Sequence, residues 1–293
     1  MRSALFYGSG VALVTPFSEG RVDLRSFETL IDWQIDSMTD AIIVLGTTGE
    51  PSTISPTERA EMIECAASTV AGRVPLIVGA GSNSTATAIL YAQQGQSLGA
   101  DGLLIVTPYY NKASRRGLIE HFYAIADQVE IPIIVYNVPS RTGVNLEPQV
   151  AAELLKHPML RGVKEASGDI KQMTELCALC SGAALYSGND DQTYALMTLG
   201  ARGVISVAAN ILPGTMHDMA ASYLRGDIEM SRELQFATLE IIRALFSEVS
   251  PIPVKAALWM MGKIRNEFRL PLSPLDEAKA AKLRAAMEKW NLV

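Results

Sequence analysis

Three cysteines and three histidines are all the thiol and imidazole that 293 residues offer. An odd count leaves at least one thiol unpaired within the chain, which argues against a disulfide framework. Cys177 and Cys180 have the Cys-x-x-Cys spacing, but they fall inside an apolar helical pattern with no second pair. They read as two small core residues one turn apart. His121, His157 and His217 are scattered without clustered acids, so no zinc or iron site is expected. Positive charge is also scarce: 25 lysines and arginines face 31 acids, for a net charge of −6. No basic cluster exceeds Arg115-Arg116, which argues against nucleic acid and anionic membrane as partners. No apolar run approaches the ~20 residues needed to cross a bilayer. The N-terminus shows no charged leader followed by a long apolar stretch, so a cytoplasmic protein is expected. No Gly-x-Gly-x-x-Gly follows the first apolar run, which weighs against an open, doubly wound nucleotide-binding sheet. No cofactor is expected.

What the chain does have is apolar residues, 48% of the total, enough for a large core. Short runs rich in Val, Ile and Leu occupy residues 11–14, 42–45, 76–78, 103–106, 133–136, 162–164, 184–186 and 204–207. Their spacing of roughly 20–35 residues is the rhythm of repeated strand–helix units. Nearly continuous apolar character suits strands buried on both faces of a parallel sheet. Helix starts lie between them, such as Ser55-Pro56-Thr57-Glu58, with a capping serine, proline in the first turn and an early acid. Eight such units predict a closed (β/α)8 TIM barrel over residues 1–224. From about Pro213 the pattern is purely helical, and 228–246, 254–268 and 274–290 read as three helices. Residues 225–293 are therefore expected to form a C-terminal helical extension, packed on the barrel or on a neighbouring subunit.

In such a barrel the chemistry sits at the C-terminal ends of the strands. Unusual polar residues gather there: Gly46-Thr47-Thr48-Gly49-Glu50 after the second run, Tyr109-Tyr110-Asn111 after the fourth, and Tyr136 through Arg141 after the fifth. Lys164 ends the sixth run, Gly188 and its neighbours follow the seventh, and Ile205-Ser206 lie in the eighth. Lys164 is the most informative. A lysine at the end of an apolar strand is desolvated, which lowers its pKa and leaves a nucleophilic amine able to condense with a ketone. Taken alone, a lysine that snorkels outward beside Glu165 is the stronger reading, and the company it keeps shifts the balance. Tyr136, one strand away, is placed to move protons during imine formation. The Thr47-Thr48 loop can cradle a small carboxylate, and Arg141 offers a planar fork to a second one. Lys255 competes as the amine, but its helical setting lies outside the strands.

At these residues the chain resembles the dihydrodipicolinate synthase family of pyruvate-dependent class I aldolases. The resemblance covers most of the chain. It is densest in Val106-Thr107-Pro108-Tyr109-Tyr110-Asn111, Tyr136-Asn137-Val138-Pro139-Ser140-Arg141-Thr142-Gly143, Val163-Lys164-Glu165-Ala166, Gly203-Val204-Ile205-Ser206-Val207 and Pro251-Ile252-Pro253-Val254-Lys255. It implies condensation of pyruvate with aspartate-4-semialdehyde to 4-hydroxy-tetrahydrodipicolinate, on the diaminopimelate route to lysine. It implies that Lys164 carries the imine, and that Tyr136, Thr47 and Tyr110 form a proton relay with Tyr110 donated across a subunit interface. Thr48 would help hold the pyruvate carboxylate and Arg141 that of the semialdehyde. Gly188 would line the substrate site, and the Ile205 carbonyl would lie near the amine. Family members are usually homotetramers, dimers of tight dimers.

Arg141 separates the synthase from a sister aldolase such as N-acetylneuraminate lyase, whose matching loop lacks it. A carboxylate-binding barrel without catalysis is the alternative from another class. Two departures stand out. Lysine-inhibited members carry a histidine and a glutamate in the stretches matched here by Pro56 and Thr87. Ser250 stands where many members have asparagine.

Overall fold

The computed structural model describes residues 4–293. Eight parallel strands close into a barrel: β1 Gly8–Ala12, β2 Ala41–Val44, β3 Leu76–Gly79, β4 Gly102–Val106, β5 Ile133–Asn137, β6 Leu160–Glu165, β7 Ala184–Ser187 and β8 Gly203–Ser206. Each strand pairs with its sequence neighbours, and β1 joins β8 to complete the ring. Helices α1 Leu24–Asp36, α2 Pro56–Val70, α3 Thr85–Ser97, α4 Arg115–Ala126, α5 Pro148–Leu154, α6 Ile170–Leu179, α7 Thr193–Thr198 and α8 Pro213–Leu224 alternate with them. The capping reading at α2 holds. The Ser55 hydroxyl accepts from the Glu58 amide, and the Glu58 carboxylate accepts from the Ser55 amide.

Strand residues alternate between two cores. Outward-facing side chains such as Val11, Val44, Val78, Ile105, Val135 and Val163 pack against the helices. The inward set fills the barrel: Ala12, Ile43, Ile77, Leu104, Ile134, Tyr136, Tyr186 and Ile205, with Phe6 entering from the N-terminal mouth. Phe6 and Tyr186 stack 4.4 Å apart, and the Tyr186 hydroxyl donates to the Phe6 carbonyl at 2.8 Å. This plug explains why the first strand lies at 8–12 rather than at the apolar run 11–14. Gly10 must be bare, because a Cβ there would come 2.6 Å from Ile43 Cδ1 and 2.9 Å from Phe6 Cζ. Small residues thus replace the apolar signal along half of that strand.

Three further helices follow α8: α9 Ile228–Leu245, α10 Ile252–Met260 and α11 Glu277–Glu288. The expectation of a helix over 254–268 is corrected. It begins two residues earlier, with prolines in its first turn, and stops at Met260 because Gly262 takes φ +71° and ends it. The last helix starts at Glu277, where the Asp276 carboxylate caps the Lys279 amide at 2.9 Å.

Gly79 ends β3 directly opposite the Leu45 carbonyl, and any Cβ at that position would run into backbone. Gly79→Ala should therefore cost about 1–3 kcal/mol or more in a denaturant melt. Gly182→Ala, with open space around it, should fall within about 0.5 kcal/mol of the parent.

Candidate active site

Parallel pairing sets Tyr136 of β5 beside Lys164 of β6 as register partners, so both project to the same side of the sheet. Both are buried, and the Lys164 Nζ lies 4.3 Å from the centre of the Tyr136 ring. Glu165 necessarily points the other way. Its carboxylate accepts from the Ser167 amide at 2.6 Å and from Asn137 Nδ2 at 3.0 Å. The sequence alternative of a lysine snorkelling beside Glu165 is thereby excluded. Burial pulls the Lys164 pKa down to about 8; the Arg141 charge adds to that, while the Asp190 charge opposes it. Burial pushes the Tyr136 hydroxyl up to about 12, with Arg141 and the neighbouring Thr47 hydroxyl drawing it partly back. One group is thus eased toward its neutral, nucleophilic form, and the other keeps its proton.

Asp190 lies close enough for its charge to bear on Lys164. It follows β7 and is buried; its Oδ2 accepts from the Val207 and Ala208 amides at 3.1 and 2.8 Å, while its Oδ1 has no partner. Among the acids of Asn189-Asp190-Asp191, only the folded chain distinguishes the one turned inward. Gly188 sits two residues before it. A Cβ at Gly188 would come 3.1 Å from Lys164 Cε and 2.7 Å from Ala166 Cβ, so the bare glycine gives the lysine its room. Ile205 lies fully buried inside the barrel, in the same cluster as Tyr136.

The loop after β2 is a 3-10 turn, Thr47–Gly49. Two residues around it are left-handed without being glycine: Leu45, two before the turn, and Glu50, directly after it, each have φ +56°. Each such residue costs about 1–2 kcal/mol and persists only where the surroundings dictate it. Thr15 Oγ1 donates to the Gly49 carbonyl at 2.6 Å and fixes one side of the turn. Thr48 is buried and Thr47 half-buried.

Arg141 stands on a one-turn helix, Pro139–Thr142, and its Nη2 donates to the Ser250 carbonyl at 3.1 Å. Thr47, Tyr136 and Arg141 share one cleft of about 590 Å³ with Tyr109, Arg59 and Ser250. The fold therefore brings together Lys164, Tyr136, Thr47, Arg141 and Gly188. It does not bring Tyr110 to them. That side chain is 88% exposed on a backbone of φ +72°, tethered only through its amide to the Thr142 carbonyl. Among the described residues no group of three or more His, Cys, Asp or Glu could hold a metal ion, and no helix is long and apolar enough to cross a membrane.

Fold and site together define a class: a (β/α)8 barrel that presents a desolvated lysine beside a tyrosine at its strand ends. Residues 5–290 match the family model described as the Dihydrodipicolinate synthetase family, and the chain belongs to that family. It is 52% identical over 290 residues to the 4-hydroxy-tetrahydrodipicolinate synthase of Caldicellulosiruptor bescii, covering 99% of this chain and 98% of that one. Among solved structures it superposes on a monomeric dihydrodipicolinate synthase variant with a TM-score of 0.97 at 42% identity, covering 99% and 98% of the two chains. The chloride-inhibited dihydrodipicolinate synthase of Acinetobacter baumannii, complexed with pyruvate, gives a TM-score of 0.96 at 43% identity, covering 98% and 99%.

The lowered lysine pKa sets a pH dependence. Between pH 8 and the ordinary lysine range the unfolded chain binds more protons than the folded one, so stability rises with pH across that window. Capture of a ketone by the amine should climb about tenfold per pH unit below the midpoint and level off above about 8. Asp190→Asn should move that midpoint lower, because it removes the charge that favours the ammonium. Borohydride-trapping rates from pH 6 to 10 measure both effects, and an unshifted midpoint in the variant would contradict the assignment of Asp190.

Proposed function

We propose that this chain condenses pyruvate with aspartate-4-semialdehyde through an imine on Lys164 and releases 4-hydroxy-tetrahydrodipicolinate. The observation that carries the reading is the Lys164 amine, buried against Tyr136 with its pKa drawn down to about 8. The neutral amine attacks the ketone carbon, and the ketone oxygen takes up protons and leaves as water. Tyr136, which holds its proton at neutral pH, supplies one to that oxygen. The imine then lets a proton leave the pyruvate methyl group, the resulting enamine attacks the aldehyde carbon of the second substrate, and that substrate's amino group adds to the regenerated imine carbon and expels the Lys164 amine, which closes the ring and frees the product.

Thr48 and Gly188 are assigned to the pyruvate side of the pocket and Arg141 to the carboxylate of the semialdehyde. The Ile205 carbonyl is assigned to the neighbourhood of the amine. Thr47 extends the proton path from Tyr136. Tyr110 completes it only if a neighbouring subunit supplies its hydroxyl, and the exposure of that side chain supports this arrangement. We therefore take the working enzyme to be a homotetramer assembled from tight dimers. The three free cysteines favour a reducing, cytoplasmic setting.

Borohydride reduction in the presence of pyruvate should attach the three-carbon unit to the peptide bearing Lys164. Attachment at Lys255, or none, would overturn the mechanism. Tyr136→Phe should keep the fold and lose ~10²–10⁴-fold in kcat, the usual worth of positioned proton transfer. Near-normal turnover would remove Tyr136 from the relay.

Free lysine should inhibit weakly or not at all. Its ammonium needs a carboxylate, and leaving a charge unpaired in a binding site is costly. Pro56 opens α2 with no polar side chain, and Thr87 in α3 carries no charge. Glu61 and Glu64 are exposed and do not line the cleft. Arg59, which does, is already committed to the Gly79 carbonyl at 2.6 Å, to Gln94 and to the face of Tyr91. Initial rates across a lysine titration test this, and half-inhibition at micromolar lysine would refute it.

A further inference from the structure

A second buried lysine takes no part in the chemistry above. Lys255, in the first turns of α10, places its Nζ 2.6 Å from Glu50 Oε1, and both side chains are sealed from solvent. The ammonium lies 4.2 Å from the centre of the Phe17 ring and 4.6 Å from that of Phe268. Glu50 Oε2 has no hydrogen-bond partner. A pair buried this way, with one oxygen unsatisfied, is a poor means of stabilising a core, because matched apolar residues serve as well or better. Its position suggests another role. Glu50 is the left-handed residue that ends the Thr47–Gly49 turn, and the Lys255 ion pair holds its side chain from a helix 205 positions further along the chain. Five residues before Lys255, the Ser250 carbonyl receives Arg141. One short segment at the head of α10 thus grips both elements assigned to carboxylate recognition.

We propose that the Lys255–Glu50 ion pair is a positioning device for the reaction: it pins the Thr47-Thr48 turn to α10, at a fixed separation from Arg141, in the place where the pyruvate carboxylate binds. The proposal rests on the reading of Lys164 and Thr48 given above. Neither Lys255 nor Glu50 is a catalytic residue. Lys255 does not line the cleft, and Glu50, which borders it, keeps its carboxylate buried against the lysine amine.

The test uses the full chain and three variants: Glu50→Gln, Lys255→Met and the double variant Glu50→Met/Lys255→Met. Steady-state rates are measured against pyruvate at saturating semialdehyde, alongside borohydride trapping at sub-saturating pyruvate and thermal melts. Each single variant should raise KM for pyruvate on the order of tenfold to a hundredfold, and should lower kcat to the extent that the Thr47 hydroxyl in the same turn is drawn away from Tyr136. The double variant should melt near the wild type, because it leaves no unpaired charge, yet keep the raised KM. Lys164 should remain the labelled residue throughout. A folded double variant with wild-type KM for pyruvate would reduce the pair to a packing feature and overturn the proposal alone. Absence of a Lys164 label in the wild type would instead overturn the functional reading, and this proposal with it.

Discussion

Everything in the site depends on the pairing of β5 with β6. A parallel ladder without slippage at Tyr136–Lys164 puts an aromatic hydroxyl and an amine side by side on one face, and ring closure removes that face from water. The same closure sets the chemistry. Desolvation acts on every ionisable group there and always against its charged form, so it makes the lysine a better nucleophile and the tyrosine a firmer proton holder. A one-residue slip would turn Lys164 outward into the helix layer and bring Glu165 inside, replacing a nucleophile with a buried acid. The register and the pKa shifts are therefore one fact seen at two levels.

The barrel is legible in the sequence because strands buried on both faces are largely apolar, and apart from β6, which carries Arg161, Lys164 and Glu165, the later strands are. The first is not, since Gly8, Ser9 and Gly10 carry no apolar signal. Gly10 is bare because Ile43 and Phe6 occupy the space a side chain would need, and Gly8 because Asp40 does. The helix read over 254–268 overshoots because Lys263 to Phe268 keeps a helical rhythm past Gly262, and periodicity is blind to the sign of φ. Lys164, Tyr136, Thr47 and Arg141 can be singled out because each lies within a few residues of a strand end, where barrels of this class place their chemistry. Asp190 and the Glu50–Lys255 pair cannot. Nothing local marks Asp190 as the inward acid, and Glu50 and Lys255 meet across 205 positions.

Tyr110 shows a limit of another kind. Its position in the sequence motif is plain, but a single chain offers its hydroxyl no partner in the site and leaves 88% of the residue to solvent. A large aromatic held in left-handed backbone at that exposure is an uncommon feature. Strain of this sort is tolerated where an element must reach outward at a fixed angle. Within one chain the Tyr110 hydroxyl therefore stays outside the cleft that Tyr136 and Thr47 share.

The two buried lysines make the most direct argument about what the fold does with charge. Burial lowers the pKa of both. Lys255 meets a carboxylate at 2.6 Å, which works against that lowering and takes up one of its donors. Lys164 forms no ion pair among the described residues. Asp190 acts on it only at longer range, and its near neighbour is the face of Tyr136. The same side chain is therefore made a structural cation in one place and a latent nucleophile in the other, and the difference is whether a carboxylate was built within contact. A lysine this deep cannot be left without either fate: unpaired and charged, it would carry the full desolvation penalty. Its lowered pKa is the way the barrel relieves that penalty, and the reactivity of the amine is the same relief expressed as chemistry.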